Sequence, residues 1–189
     1  MACSRSGACR PDGNARSEVD DLVVRAYRHP SDYQLVYDFL LELYRPDTTL
    51  PTWLGPRWEY LHGHSCVELV DLSAIGIAES ACGRIEGVIH PEHVPEQRYL
   101  QVRPGSEDVR PTLLEWAEEH HAVPPGGTPS GRVGVYVDDA DDRLRALVTE
   151  RGYRRSGHEQ EAHASMRLEA LPPSVPCAEG YRLSSLALS

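Results

Sequence analysis

The sequence predicts a mixed α/β fold, and three observations support this prediction. Some segments are short, β-branched and suited to strands, whereas longer segments repeat their apolar residues at helical spacing. These segments follow the order strand, two helices, several strands, helix, strand, helix, strand, which favours a mixed sheet over a purely doubly wound one. The chain has 189 residues, 40% of them hydrophobic, so it can bury a core without disulfide or metal cross-links.

The first strand is predicted over Asp21 to Tyr27, which contains a β-branched run. Ser31 or Asp32 can cap the helix that follows. The apolar residues of that helix recur at helical spacing; they are Leu35, Val36, Phe39, Leu40 and Leu43. A loop leads to a second, aromatic-rich helix that starts near Pro56 and includes Trp58.

Three strands are predicted in the middle of the chain. Residues 73–79 and 85–89 flank a short turn at Gly83 and are typical of a hairpin. Residues 98–102 alternate in polarity and end before Pro104. A helix with an apolar stripe follows from about Pro111.

The last third predicts a strand, a helix and another strand. Residues 132–137 form a strand of the buried type. Asp138 or Asp139 caps the next helix, and Gly152 lies where a glycine stops a helix. A further strand is predicted over residues 157–168.

The two ends of the chain differ in composition from its middle. Residues 1–19 are rich in Gly, Ser, Arg and Ala and predict a disordered tail before a domain at residues 20–171. Residues 172–189 combine a Pro-rich linker with a terminal strand.

Charge and cysteine usage exclude several classes of partner. The formal net charge is -10 and the pI is near 5.3, so we expect neither nucleic acid nor an anionic membrane as a partner. The five cysteines are irregularly spaced and contain no CxxC pair, which argues against a disulfide framework and a zinc ribbon. The sequence predicts a cytoplasmic protein, because this cysteine pattern suits a reducing compartment and no apolar run is long enough to span a bilayer.

Two segments superficially resemble metal sites. Residues 62–66 offer two histidines and a cysteine, but no fourth ligand has suitable local spacing. Residues 138–142 contain four aspartates but lack the glycine and distal glutamate of an EF-hand. Acids at a helix N-terminus explain the second segment better, and we expect no metal.

Three passages, at residues 78–89, 100–118 and 133–153, together resemble the GNAT superfamily, the GCN5-related N-acetyltransferases. Residues 78–89 are similar to the family hairpin of pattern AE-x-DG-x-IVG. Residues 100–118 are similar to the family's strand, pyrophosphate loop and helix. Residues 133–153, which end in Glu150-Arg151-Gly152-Tyr153, are similar to the strand, helix and closing Gly-aromatic pair of the family. The resemblance covers roughly residues 21–170 and implies the acyl-CoA N-acyltransferase fold, a mostly antiparallel twisted sheet flanked by helices.

The resemblance implies transfer of an acetyl group from acetyl-CoA to the amine of a small molecule. A homodimer is one assembly that the chain could form. In the family, backbone N–H groups of a glycine-containing loop and a helix N-terminus bind the pyrophosphate. The residues that would meet the cofactor here are Val102, Arg103, Gly105, Ser106 and Arg110.

The loop departs from the family pattern of Arg/Gln-x-x-Gly-x-Gly/Ala. Gly105 is the only glycine between Arg103 and Pro111, and Glu107 and Asp108 bring negative charge toward a diphosphate. An alternative function is therefore a catalytically inactive GNAT-like module that serves in structure, dimerisation or ligand sensing.

The catalytic residues implied by the resemblance are His90, Glu86 and Tyr153. His90 is the candidate base because its unperturbed pKa lies near neutrality, although a histidine before a proline is also typical of a solvated turn. Glu79 and Glu86 are further bases on the central hairpin. Val148 replaces the tyrosine that many members aim at the thiolate, and Tyr136 or Tyr153 could substitute for it.

The tail carries one more similarity. Residues 179–186 resemble the opening of a GNAT domain, as in the first half of a tandem protein. Two interpretations follow: a shortened second domain, or a strand that completes the first sheet.

Overall fold

The structure is a computed structural model that describes residues 22–45, 53–63, 70–92, 94, 96–120, 131–157 and 179–180. The predicted tail at residues 1–19 lies outside these ranges, as do nearly all of the predicted strand at residues 157–168 and most of the C-terminal segment. The chain divides into two compact units, Met1–Arg155 and Ser156–Ser189. The fold below is that of the first unit.

Nine helices and strands are assigned among the described residues. In chain order they are β1 (Val23–Ala26), α1 (Tyr33–Leu43), α2 (Gly55–Gly63), β2 (Gly76–Glu79), β3 (Ile85–His90), β4 (Gln97–Val102), α3 (Arg110–Glu119), β5 (Gly134–Val135) and α4 (Asp142–Glu150). Short 3-10 turns at Leu72–Ala74 and Glu107–Val109 precede β2 and α3.

The strands form one five-stranded sheet in the order β1-β2-β3-β4-β5. The first three pairs are antiparallel, and β5 joins β4 in parallel. Helices follow β1, β4 and β5 and flank the sheet. The predicted mixed α/β fold is therefore confirmed, including the mostly antiparallel character of the sheet.

Two apolar clusters cover the two faces of this sheet. Ile77 and Val88 pack with the buried side of α1 and α2. Their chain neighbours Ala78 and Ile89 pack instead with α3 and α4. Because successive strand residues point to opposite faces, each helix pair buries its own face of the sheet.

Glycine lets α3 approach the sheet closely. A Cβ atom at Gly76 would lie 2.5 Å from the Trp116 ring, and one at Gly87 would lie 2.8 Å from Leu113 Cδ1. A larger side chain at either position would force the helix away from the sheet.

The structure corrects two predicted helix caps. Asp32 makes no capping bond to α1, because its carboxylate accepts from the Arg25 guanidinium and the Arg28 N–H group. The cap of α4 is Asp141, whose Oδ1 accepts from Leu144 N at 3.0 Å. The predicted caps Asp138 and Asp139 lie before this position.

Two predicted strands are shorter than expected. The segment that starts at Ser73 begins as a 3-10 turn, since the Asp71 side chain accepts from the Ser73 N–H group. Only Gly134–Val135 of the predicted strand at residues 132–137 is paired, and residues 133–137 are half-buried. The prediction of a fully buried strand there was wrong because, among the described strands, β5 is the outermost one of the sheet.

Candidate functional site

The candidate site lies at the point where the parallel pairing between β4 and β5 ends. Gln97 and Arg98 pair with Gly134 and Val135, and Tyr136 N then donates to Arg98 O at 2.9 Å. Within the described residues the β4–β5 ladder ends there, whereas β4 continues to Val102. Alternate residues of a strand turn their backbone N–H and C=O groups to the same side, so beyond Arg98 those of Leu100 and Val102 face the side from which β5 turns away.

A tight loop joins the end of β4 to α3. The Arg103 N–H group donates to Glu86 O at 2.8 Å and thereby ties the loop to β3. Gly105 has a φ of 92°, a left-handed conformation that glycine adopts without steric cost. Ser106 N and Val109 N donate to Arg103 O and Ser106 O, at 2.9 and 3.0 Å. These bonds use two of the loop's N–H groups internally.

The carboxylate of Glu107 occupies a further N–H group of the loop. Its Oε1 accepts from Gly105 N at 3.2 Å. Burial opposes ionisation of Glu107, but the N–H groups of Gly105 and Glu107, together with Arg110 and Arg143, outweigh burial and lower its pKa. The loop thus already holds an anion that belongs to the chain itself.

Glu86 anchors the same loop from β3. Its carboxylate accepts from Arg84 Nε at 2.5 Å and from Ser106 Oγ at 2.8 Å, and Arg103 Nε lies 3.8 Å away. Arg103 also pairs with Glu42 of α1 at 2.8 Å. Since the Glu86 side chain is only 5% exposed, these contacts make it a fixed part of the loop's support.

Val102 lies before the loop and Arg110 after it, and the two residues make different contacts. Val102 pairs with Gly87 of β3 and its side chain packs on the α3–α4 face, so it stays next to the loop. The Arg110 guanidinium binds Asp141 at 3.1 and 2.9 Å. Arg110 therefore joins α3 to the start of α4 and is committed to a carboxylate.

His90 lies in the core at the other end of β3. It is fully buried, and its ring packs against Trp53, Trp58 and Tyr99 at centroid distances of 4.5, 5.8 and 5.7 Å. Burial lowers its pKa to about 3 despite the bond of Nδ1 to Pro91 O. The interpretation of His90 as a solvated turn residue was wrong, because β2, β4 and the Trp53 and Trp58 rings enclose this strand end.

Tyr153 lies at the far end of α3 from the loop. Its hydroxyl donates to Glu118 Oε1 at 3.0 Å, and Arg151 pairs with the same carboxylate. Burial and the Glu118 carboxylate raise the pKa of Tyr153. Glu118 is eight residues after Arg110, which is about 12 Å along the helix axis.

The structure thus brings together one subset of the predicted residues. Val102, Arg103, Gly105, Ser106 and Glu86 meet at the loop, and Arg110 flanks it while paired with Asp141, whereas His90 and Tyr153 lie away from it. Sequence reasoning missed Glu42, which pairs with Arg103 from α1. A charge at one position of an amphipathic helix carries no signal about its distant partner.

The described residues contain no group of three or more His, Cys, Asp or Glu side chains placed to hold a metal ion. His62, from the segment considered for metal binding, bonds to Trp58 O and the Tyr27 hydroxyl, whereas His64 and Cys66 lie outside the described ranges. None of the helices in the described ranges is long and apolar enough to cross a membrane.

Comparison with known proteins gives structural neighbours only. No protein-family model matches the chain, and no curated protein matches it significantly. A solved structure described as a probable acetyltransferase aligns with 78% of this chain and 99% of its own, at 13% identity and a TM-score of 0.42. A point mutant of a Bacillus halodurans protein aligns with 76% of this chain and 99% of its own, at 13% identity and a TM-score of 0.36. Similarity at this level carries no argument about activity.

Proposed function

We propose that this chain is a GNAT-type N-acetyltransferase domain that transfers the acetyl group of acetyl-CoA to a small amine. The observation that carries the proposal is the end of the β4–β5 ladder at Tyr136, with β4 running on into the Arg103–Val109 loop and α3. Among the described residues no strand pairs with β4 beyond Arg98 on this side, and such a strand edge beside a glycine loop and a helix start can offer N–H groups to an extended, phosphate-bearing ligand. Two of the three GNAT-like sequence passages, residues 100–118 and 133–153, include these elements, and the third lies on β2 and β3.

The loop residues have separate roles in this proposal. Val102 and the end of β4 would lie along the pantetheine, and the diphosphate would receive the Gly105 N–H group once it displaces the Glu107 carboxylate. Ser106 would line the site with its hydroxyl held by Glu86. Arg103 would supply positive charge, which its pairing with Glu42 and Glu86 orients. Glu86 is best placed to hold Ser106 and Arg103 in position, since its oxygens already accept from the loop.

Acetyl transfer needs little covalent help, because a thioester is already activated. When bound, acetyl-CoA supplies the acyl group, and the protein has to align it with the amine and exclude water. His90 and Tyr153 were the candidates for proton transfer. Because His90 is buried and Tyr153 lies far from the loop, positioning of the substrates is favoured over acid–base catalysis as the domain's main contribution to the reaction.

A second function, a non-catalytic GNAT-like module, is favoured by a specific observation. The Glu107 carboxylate accepts the Gly105 N–H group that a diphosphate would need. A cofactor has to displace this internal anion, and Val148, which replaces the family's tyrosine, is buried in the core. In that case the loop stabilises the domain and binds no nucleotide.

Thermal unfolding with and without acetyl-CoA tests the proposal. A ligand that binds only the folded state stabilises it by about 2.7 kcal/mol at a hundredfold excess over its Kd. We expect a rise in Tm for the wild type and a larger rise for Glu107→Gln, which removes the competing charge and keeps the side-chain shape. Glu119→Gln, an exposed change on α3, should behave as the wild type.

The outcomes separate the two functions. A Tm rise followed by acetylation of an amine in a substrate screen supports the enzyme. Unchanged Tm values for the wild type and Glu107→Gln, with both proteins folded, would leave the non-catalytic module as the function.

A further inference from the structure

A depression lies between the β1–α1 turn and the end of α2, beside the strand at the other side of the sheet from β4 and β5. Its volume is about 370 Å³. The residues that line it are His29, Pro30, Tyr33, Gln34, Glu59, His62 and Gly63.

A chain of hydrogen bonds fixes the proton positions on its two histidines. His62 Nδ1 lies 2.9 Å from Trp58 O, a carbonyl that can only accept, so Nδ1 carries the proton. Its Nε2 then accepts from the Tyr27 hydroxyl at 3.0 Å. The Tyr27 oxygen in turn accepts from His29 Nδ1, 3.4 Å away.

This assignment leaves one acceptor at the depression. With its proton on Nδ1, His29 carries a lone pair on Nε2. Among the described residues no hydrogen-bond partner is recorded for that nitrogen. Burial lowers the pKa of His62, which keeps it neutral and preserves the direction of the chain at neutral pH.

The walls combine aromatic rings with a single formal charge. The Tyr33 ring meets the His62 ring edge-on at 5.0 Å, and the His29 ring stacks on His62 at 5.6 Å. Glu59 is exposed and interacts with the Tyr37 hydroxyl. The described residues that line the depression include no lysine or arginine, so these residues present negative charge beside aromatic faces.

The depression is separate from the loop after β4. It adjoins β1, the edge strand, and three strand spacings separate β1 from β4. At the usual spacing this is about 14 Å across the sheet. A ligand here would therefore leave the proposed acetyl-CoA site free.

We propose that this depression binds a primary ammonium group carried on a short apolar body. The ammonium donates to the Glu59 carboxylate and to His29 Nε2, and the Tyr33 ring contacts its charge or its apolar part. A quaternary ammonium has no N–H donor, and an anion would face Glu59. Both should therefore bind poorly. The inference does not depend on acetyl transfer.

Titration of the full chain with propylammonium, followed by NMR of the histidine ring protons at neutral pH, tests this site. We expect saturable shifts of the His29 and His62 resonances. Glu59→Gln should weaken binding about tenfold or more, since it removes the charge from the carboxylate that accepts the ammonium hydrogen bond. Tyr33→Leu should also weaken it, whereas Glu119→Gln, a matched exposed carboxylate on α3, should leave it unchanged.

Three results would overturn the proposal. They are the lack of saturable shifts with propylammonium, equal binding by Glu59→Gln, and equal binding of tetramethylammonium or propionate. A short peptide with one lysine distinguishes the sources of the ammonium. Tighter binding of the peptide assigns the group to a lysine side chain, and weaker binding assigns it to a free amine.

Discussion

A histidine kept neutral inside a protein makes stability depend on pH. His90 is completely buried, and its pKa is about 3 against 6.5 for the free side chain. Between these two values the unfolded chain binds a proton at His90 that the folded chain does not bind. The free energy of unfolding must therefore fall as the pH falls from about 6.5 toward 3.

We expect this loss to approach about 1.4 kcal/mol per pH unit, and at most about 5 kcal/mol in total. His90→Gln removes the titrating group and should flatten the curve over this window. Urea unfolding at a series of pH values measures the slope, and superimposable curves for wild type and His90→Gln would contradict the burial argument.

Residue types were easier to predict than residue partners. The sequence places Glu86, Arg103 and Glu107 near one loop because they are close along the chain or lie on neighbouring strands. The burial of His90 depends on Trp53 and Trp58, which arrive from the α1–α2 region and are not adjacent in sequence. Local pattern contains no information about such distant contacts.

At the scale of one element, the approach of α3 to the sheet depends on Gly87. Its added Cβ atom would lie 2.8 Å from Leu113 Cδ1 and 3.1 Å from the backbone oxygen of Gln101. We expect Gly87→Ala to lower the free energy of unfolding by about 1 to 3 kcal/mol, because the packed sheet and helix have little room to move. Denaturant unfolding measures this change.

Gly63 supplies the matched control. Among the described residues a Cβ atom there meets nothing within 4 Å, and the residue ends α2. Gly63→Ala should leave stability unchanged or raise it slightly, because alanine has the higher helix propensity. Equal losses for the two variants would show that overpacking against α3 is not the cause.

The start of α4 provides a second prediction at this scale. Asp141 caps the helix through Leu144 N and also binds Arg110 at 2.9 Å. Asp141→Ala should cost about 2 kcal/mol, since it removes a cap and leaves a largely buried guanidinium without its carboxylate. Thermal and denaturant unfolding measure the loss.

Asp139 separates the cap from general charge effects. Its side chain is 80% exposed and lies 3.5 Å from Arg155, so Asp139→Ala should change stability by no more than about 0.5 kcal/mol.

A run of aspartates before a helix predicted that a cap was present but not which residue provides it. The identity of the cap depends on backbone geometry, which four similar side chains do not encode.

For the molecule as a whole, the sequence predicted the element order and the mixed sheet, because periodicity reports which side of each segment is buried. It did not predict that β5 would be only two residues long, since the length of an edge strand depends on where its neighbour turns away. It also did not predict the depression beside α2. That feature requires Tyr27, His29 and His62 to meet, and they do so only after α1 and α2 have packed on the sheet.

Because one sheet supports both apolar clusters, we expect its two faces to unfold together. Leu114 is fully buried on the α3–α4 face, whereas Trp53 and Trp58 lie on the α1–α2 face. In a Trp116→Phe background, fluorescence then reports the α1–α2 face alone. Leu114→Ala should cost about 2 to 5 kcal/mol and lower the fluorescence midpoint as much as the far-UV circular dichroism midpoint. Leu35→Ala, at a position 53% exposed, should move neither. A dichroism shift without a fluorescence shift would show that each face unfolds separately and that the sheet does not couple them.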